Sequence, residues 1–181
     1  MTEKGLELIK EFEGCKLKAY LCPSGKPTIG WGATYYKDGT KVKLGDTITQ
    51  EEADELLAWM VENEYESFVK KVVTSKINPY QSDALTSFAY NCGTGNLKKS
   101  TLLKKVNNNP SDPSITDEFA KWNKSKGKVL AGLTRRRKAE AKLYFTEWVE
   151  PEPEPEPEPE KPKTLTGYLQ SEGIKPDNLR K

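Results

Sequence analysis

The apolar positions along the first 150 residues follow two regimes. Leu6, Ile9 and Glu13 recur at spacings of three and four, which predicts a short helix over 5–13 with Glu13 at the rim of its buried face. From Leu17 to about Val42 that period is lost. Gly25, Gly30, Gly32 and Gly39, with Pro23 and Pro27, punctuate short runs such as Thr28-Ile29 and Thr34-Tyr35-Tyr36, the pattern of a small antiparallel hairpin region. Lys37-Asp38-Gly39-Thr40 predicts a turn, because Asp-Gly accepts positive φ. Helical periodicity returns at Thr49, which forms a capping box with Glu52. Ala53, Leu56, Leu57, Met60, Glu64, Phe68 and Val72 then predict one long amphipathic helix over 50–73. Asn78 caps the next helix and Pro79 fits its first turn. Ala84, Leu85, Phe88 and Ala89 form its apolar stripe, and Cys92-Gly93 ends it. Short helices are predicted near 100–107 and 114–123, the second with Ile115, Phe119 and Trp122 on one face. A last helix at about 134–148 carries Ala139, Leu143 and Trp148. The sum is an α+β plan, a mostly helical body with a small antiparallel β-hairpin region set into it.

The pattern stops at residue 149. Glu150-Pro151 opens an alternation that runs to Glu160 and is followed by Lys161-Pro162-Lys163. Proline at every second position excludes helix and sheet, and the glutamates repel one another, so 150–163 reads as a stiff spacer of about 3.1 Å per residue. Residues 164–181 carry one short apolar stripe, Leu165, Tyr168 and Leu169, too little to fold alone. The expected organisation is a folded body over 1–149, a Glu-Pro linker over 150–163 and a short C-terminal segment over 164–181. Charge divides the same way. Residues 1–149 hold 24 basic and 19 acidic residues, and 150–181 hold 5 and 8, so a cationic body precedes an anionic tail. A cationic body suits an anionic polymer, of which nucleic acid, a membrane surface and the bacterial wall are all examples.

Composition narrows the chemistry. The chain has no histidine, which removes Ser-His and Cys-His catalysis and weighs against a catalytic zinc. Three cysteines, Cys15, Cys22 and Cys92, make no disulfide framework. The start, Met1-Thr2-Glu3-Lys4-Gly5-Leu6, contains no apolar stretch suited to a signal peptide or membrane span. These residues predict synthesis in a reducing cytoplasm and no membrane insertion.

The candidate chemistry lies in Glu13-Gly14, with Cys22 nine residues after Glu13, Thr28 fifteen after it, and Ile29-Gly30-Trp31-Gly32 following at once. Alone, a glutamate at a helix end is a surface charge. The whole string resembles the active-site signature of the phage-type lysozymes. Gln81 to Gly93 resembles that family's central helix, and Ser100-Thr101-Leu102-Leu103 resembles the turn into its next one. Phe119-Ala120-Lys121-Trp122 and Gly132 to Glu140 resemble its C-terminal segment. The blocks occur in the family's order and cover roughly 5–148. The resemblance implies a lysozyme-like fold with a cleft between the hairpin region and the helical body. It implies an endolysin muramidase that hydrolyses the β-1,4 bond between N-acetylmuramic acid and N-acetylglucosamine of peptidoglycan, with inversion by direct water attack. Such a protein would be made in the host cytoplasm and reach the wall through a separate pore-forming protein. No metal or cofactor, no nucleic-acid partner and a monomer are also what the resemblance carried by the Glu13–Gly32 string implies.

Residue by residue, the resemblance makes Glu13 the general acid and Thr28 the residue that positions water. Cys22 stands in the slot usually held by Asp. A thiol there has three open roles: an ionic assistant, a nucleophile giving a covalent sugar intermediate, or a passive filler. The ionic or nucleophilic role is favoured. Cys15 and Cys92 read as small buried hydrophobes. Ala33 stands where the family often has His, which predicts an effect on stability more than on chemistry. Among Arg135, Arg136 and Arg137, the resemblance places Arg136 opposite Glu13. Gln81 is the first choice for a sugar contact, ahead of Asn91 and Ser100. Two rival readings stay open: a lytic transglycosylase acting on the same bond, and a wall-binding protein without catalysis. Residues 164–181 would be a remnant wall-binding or interaction element.

Overall fold

The computed structural model describes residues 1–150. The expectations for the linker and for 164–181 lie outside the described residues. Helix α1, Glu3–Glu13, begins two residues before the periodicity predicts, because Thr2 caps it: its hydroxyl accepts the Gly5 N–H at 3.3 Å. Gly14 follows at φ 67°, a left-handed conformation that stops the helix and leaves Glu13 as its last residue. Strands β1 (Lys16–Leu21) and β2 (Pro27–Gly30) pair antiparallel, with Tyr20 opposite Thr28 and an irregularity between Lys16 and Tyr20. The loop after β2 returns through a Tyr35–Lys41 bridge, and the turn at Gly39 is present at φ 83°. Ile29, Ala33, Val42, Leu56 and Met60 form the apolar cluster beneath this region.

The predicted 50–73 helix is continuous but not uniform. It runs as α2 (Gln50–Met60), a π-helical segment (Val61–Glu66) and α3 (Ser67–Val72). Thr49 and Glu52 close the capping box from both sides, at 2.8 and 3.1 Å. The wider π turn shifts the helix phase, so Glu66 is buried where an unbroken 3.6-residue period would not place it, while Val61 continues the face of Leu57. The same shift leaves Glu64 and Tyr65 half-buried.

Helix α4 (Pro79–Cys92) is the centre of the body. Every residue from Asp83 to Ala89 is buried, so other elements cover it on all sides. Around it stand α5 (Thr94–Lys99), α6 (Thr101–Asn108), α7 (Ile115–Ala120), a small hairpin of β3 (Lys124–Ser125) and β4 (Lys128–Val129), and α8 (Ala131–Tyr144). Leu85, Phe88, Leu102, Ile115, Phe119 and Tyr144 fill the core between them. The structure adds α5 and the β3–β4 hairpin to the expected elements. It also corrects the last helix, which starts three residues earlier than 134 and ends four before 148. Trp148 lies beyond it and packs edge-on to Tyr80, ring centres 4.8 Å apart. The architecture is the expected α+β plan, a mostly helical body with small antiparallel hairpins set into it. No helix among the described residues is long and apolar enough to cross a membrane.

Candidate active site

Glu13 ends α1 as a half-buried side chain. Arg136, on α8 and almost fully buried, sets its Nη1 2.5 Å from Glu13 Oε1. Arg136 is itself gripped from behind. The i,i+4 spacing on α8 brings its Nε to Glu140 Oε1 at 3.2 Å, and its Nη2 donates to the Ser87 carbonyl of α4 at 3.3 Å. The same Glu140 oxygen accepts from Arg137 Nη2 at 2.8 Å and from the Ser87 hydroxyl at 2.9 Å. Charge therefore alternates along Glu13, Arg136, Glu140 and Arg137. Burial pushes the Glu140 carboxyl up, against the pull of Arg137, Arg136 and Ser87.

Three tyrosines from three elements stand near Glu13: Tyr20 on β1, Tyr65 in the π segment and Tyr90 on α4. Burial raises each phenol, and the Glu13 charge adds to the rise in all three. Tyr65 and Tyr90 pack with ring centres 4.9 Å apart, and the Tyr90 hydroxyl donates to the Trp31 carbonyl at 2.9 Å. Trp31 is also held through its indole N–H, 2.6 Å from Asp54, which accepts Lys10 at 2.9 Å. The Ile29-Gly30-Trp31-Gly32 turn is thereby tied to α1, α2 and α4. Tyr35 donates to Glu64, joining the β region to the π segment, and the Glu64 charge reaches both Tyr65 and Tyr90.

Cys22 and Thr28 flank the β1–β2 turn. The Ser24 hydroxyl lies 3.0 Å from Cys22 Sγ and is the largest cause of a thiol pulled down to about 6. Thr28 contributes next, then the backbone around Lys26 and Ser24. The Thr28 hydroxyl has one proton and two takers, the Lys26 carbonyl at 3.0 Å and the Cys22 sulfur. Thr28 is buried and sits directly across the ladder from Tyr20, so the two share a face. Tyr20 also feels the Cys22 charge.

Gln81 is not brought to this group. Its side chain closes the α4 capping box with Asn78 and donates to the Pro110 carbonyl at 3.2 Å. The reason is local: position N3 after an Asn cap recruits a Gln side chain to the backbone. Arg136 lies behind Glu13, too buried to present itself as a sugar contact. Asn91 is exposed and accepts Arg137 at 3.0 Å, while Ser100 is buried as the cap of α6. The thiols of Cys15, Cys22 and Cys92 are all free. Cys92 is more than a hydrophobe, since its sulfur accepts Arg137 Nη1 at 2.8 Å while burial pushes the thiol up. Ala33 packs against the Leu56 and Met60 cluster, an apolar environment that a histidine would not suit. Ser24, Tyr20, Tyr65, Tyr90, Glu64, Ser87 and Glu140 were not singled out from sequence. Only Glu140 carried a signal, its i+4 spacing from Arg136. Among the described residues no group of three His, Cys, Asp or Glu side chains gathers as a metal site.

The family model described as phage lysozyme matches residues 10–140. An endolysin of Bacillus phage B103 is 43% identical over 148 residues, which is 81% of this chain and 54% of that protein. The chain thus spans about half the length of that relative. An endolysin of Acyrthosiphon pisum secondary endosymbiont phage 1 is 39% identical over 149 residues, 80% of this chain and 97% of the other. Among solved structures, the muramidase domain of SpmX from Asticaccaulis excentricus superposes with a TM-score of 0.71 at 31% identity, covering 81% of this chain and 97% of that one.

Proposed function

The chain belongs to the phage lysozyme family, and on that premise we propose that it is a peptidoglycan-hydrolysing endolysin. Within that class the reading is a muramidase that cuts the β-1,4 bond between N-acetylmuramic acid and N-acetylglucosamine. The observation that carries the finer reading is the ion pair by which Arg136 fixes Glu13 at the end of α1, together with Cys22 and Thr28 at the β1–β2 turn. The similarity to the muramidase domain of SpmX supports it.

Each group has a task in this mechanism. The glycosidic oxygen is a poor leaving group, and the Glu13 carboxyl gives it a proton as the bond to C1 breaks. Arg136 holds that carboxyl in one orientation. Positive charge develops at C1 and the ring oxygen. The Cys22 thiolate faces that charge, as the family's aspartate slot requires, and takes up the proton of the attacking water. The Thr28 hydroxyl orients the water. Water adds to C1 from the side opposite the leaving oxygen, so the products are a reducing muramic acid end and a free glucosamine hydroxyl. In this reading the protein is made in the host cytoplasm and acts after a separate pore-forming protein releases it.

Digestion of purified peptidoglycan with mass spectrometry of the fragments tests the reaction type. Reducing muramic acid ends are expected. Anhydro-muramic ends would replace hydrolysis by lytic transglycosylation. Wall binding without any cleavage would leave a binding protein.

A further inference from the structure

Residues 119–139 contain eight Lys and Arg and no Asp or Glu. Arg136 and Arg137 are spent on Glu140, and Lys121 pairs with Glu118. The other five, Lys124, Lys126, Lys128, Arg135 and Lys138, are exposed and make no ion pair among the described residues. Three of them form the β3–β4 hairpin. Lys124 pairs with Val129 and Ser125 with Lys128, so Lys124 and Lys128 stand on opposite faces and Lys126 at the apex between them. Lys126 adopts φ 48°, the one non-glycine residue at positive φ among the described residues, and Gly127 follows at φ 79°. Such a two-residue turn favours Asn-Gly or Gly-Gly, so the lysine occupies a position that a smaller residue would fill at less cost. The basic strip continues from the hairpin into α8, where Arg135 lies 5.2 Å over the ring of Phe12, the residue before Glu13.

We propose that the β3–β4 hairpin is a docking element for a phosphodiester polymer attached to the bacterial wall. The choice of polymer rests on the wall reading above, and the charge argument stands apart from it. Three ammonium groups fanned around one apex repel each other and cannot be satisfied by one carboxylate. A chain of regularly spaced phosphates satisfies all three at once and releases its counterions in doing so. The apex offers compact point charges and no aromatic side chain, and the exposed Val129 and Leu130 sit at the base of the hairpin and not at its tip, which suits a hydrated polyanion more than a bilayer interface. Because the strip leads to Arg135 beside α1, a polymer held there keeps the enzyme next to the glycan that carries it.

The test is co-sedimentation of the full chain with wall sacculi that retain their phosphodiester polymer and with sacculi stripped of it, across salt concentrations. Wild type should bind the polymer-bearing walls more tightly, and Lys124→Ser/Lys126→Gly/Lys128→Ser should lose about tenfold of that affinity, with a shallower salt dependence. Both proteins should bind stripped walls equally and digest them at equal rates. Lys126→Gly alone should keep or raise the melting temperature while weakening binding, which separates docking from stability. Equal binding of wild type and triple variant to polymer-bearing walls would overturn the proposal. So would hairpin-dependent binding to phosphatidylglycerol vesicles at the same protein concentration, which would assign the hairpin to a membrane. If neither protein digests stripped walls, the hydrolase reading fails while the binding comparison still decides the docking one.

Discussion

Arg136 and Glu13, 123 positions apart in the chain, meet at 2.5 Å, and the arginine is the more deeply buried partner. The guanidinium is fixed first, by Glu140 and Ser87, and the carboxylate is brought to it at the end of α1. A buried charge left without its partner is costly. Arg136→Ala should therefore lose about 3 kcal/mol of stability, because Glu13 loses its partner and Glu140 is left with Arg137 as its one cation. Urea denaturation would show this as a lower midpoint. Arg136→Lys keeps the charge but not the fork, and should fall between.

The Cys22 thiol, pulled down to about 6 by Ser24, Thr28 and nearby backbone, links activity to pH. The thiolate is the form favoured in the folded state. Its contribution is therefore full above the ordinary thiol range and is lost as pH falls through about 6. If catalysis uses the thiolate, wall clearing should rise across an apparent pKa near 6. Cys22→Ser should lose most activity along with that limb, and Cys22→Asp should keep much activity with the limb moved lower. Full activity in Cys22→Ser would leave the sulfur without an ionic or nucleophilic task.

Thr28 offers a cleaner separation of chemistry from fold. Thr28→Val keeps the shape of a buried strand residue and removes only the hydroxyl. If that hydroxyl orients the attacking water, turnover should fall by about a hundredfold or more with little change in substrate affinity. Separate measurement of kcat and KM on soluble glycan fragments would show it.

Tyr90 spans two parts of the molecule through one hydrogen bond, from α4 to the Trp31 carbonyl. Tyr90→Phe preserves the ring contact with Tyr65 and should cost about 1 kcal/mol. Thermal melting would register it as a drop of a few degrees. A larger loss would mean that the Trp31 turn depends on this bond more than on Asp54.

Much of this molecule is legible in its sequence, and the rest is hidden for physical reasons. Helix α4 announces itself through Asn78, Pro79 and its Gly93 stop, because capping is local chemistry. The partnership of Arg136 with Glu13 follows from the resemblance, but its support by Ser87 does not, since that depends on how α4 packs against α8. The π segment is invisible because Val61 still follows the phase of Leu57, and the one buried residue that breaks it, Glu66, is a charged residue that reads as solvent-facing. The β3–β4 hairpin is invisible for a different reason: two-residue strands rich in lysine carry no apolar alternation. Gln81 misleads because a polar residue at a helix start serves the backbone as readily as a sugar. Tyr20 comes to share a face with Thr28 only through the register of the ladder.

The most direct test of the central claim is clearing of purified peptidoglycan by the wild type and by Glu13→Gln, with the variant's melting curve recorded alongside. The account predicts a folded variant that no longer clears, beside a wild type that releases reducing muramic acid ends. A folded Glu13→Gln protein that clears at the wild-type rate would contradict it, because a glutamine side chain has no acidic proton to give.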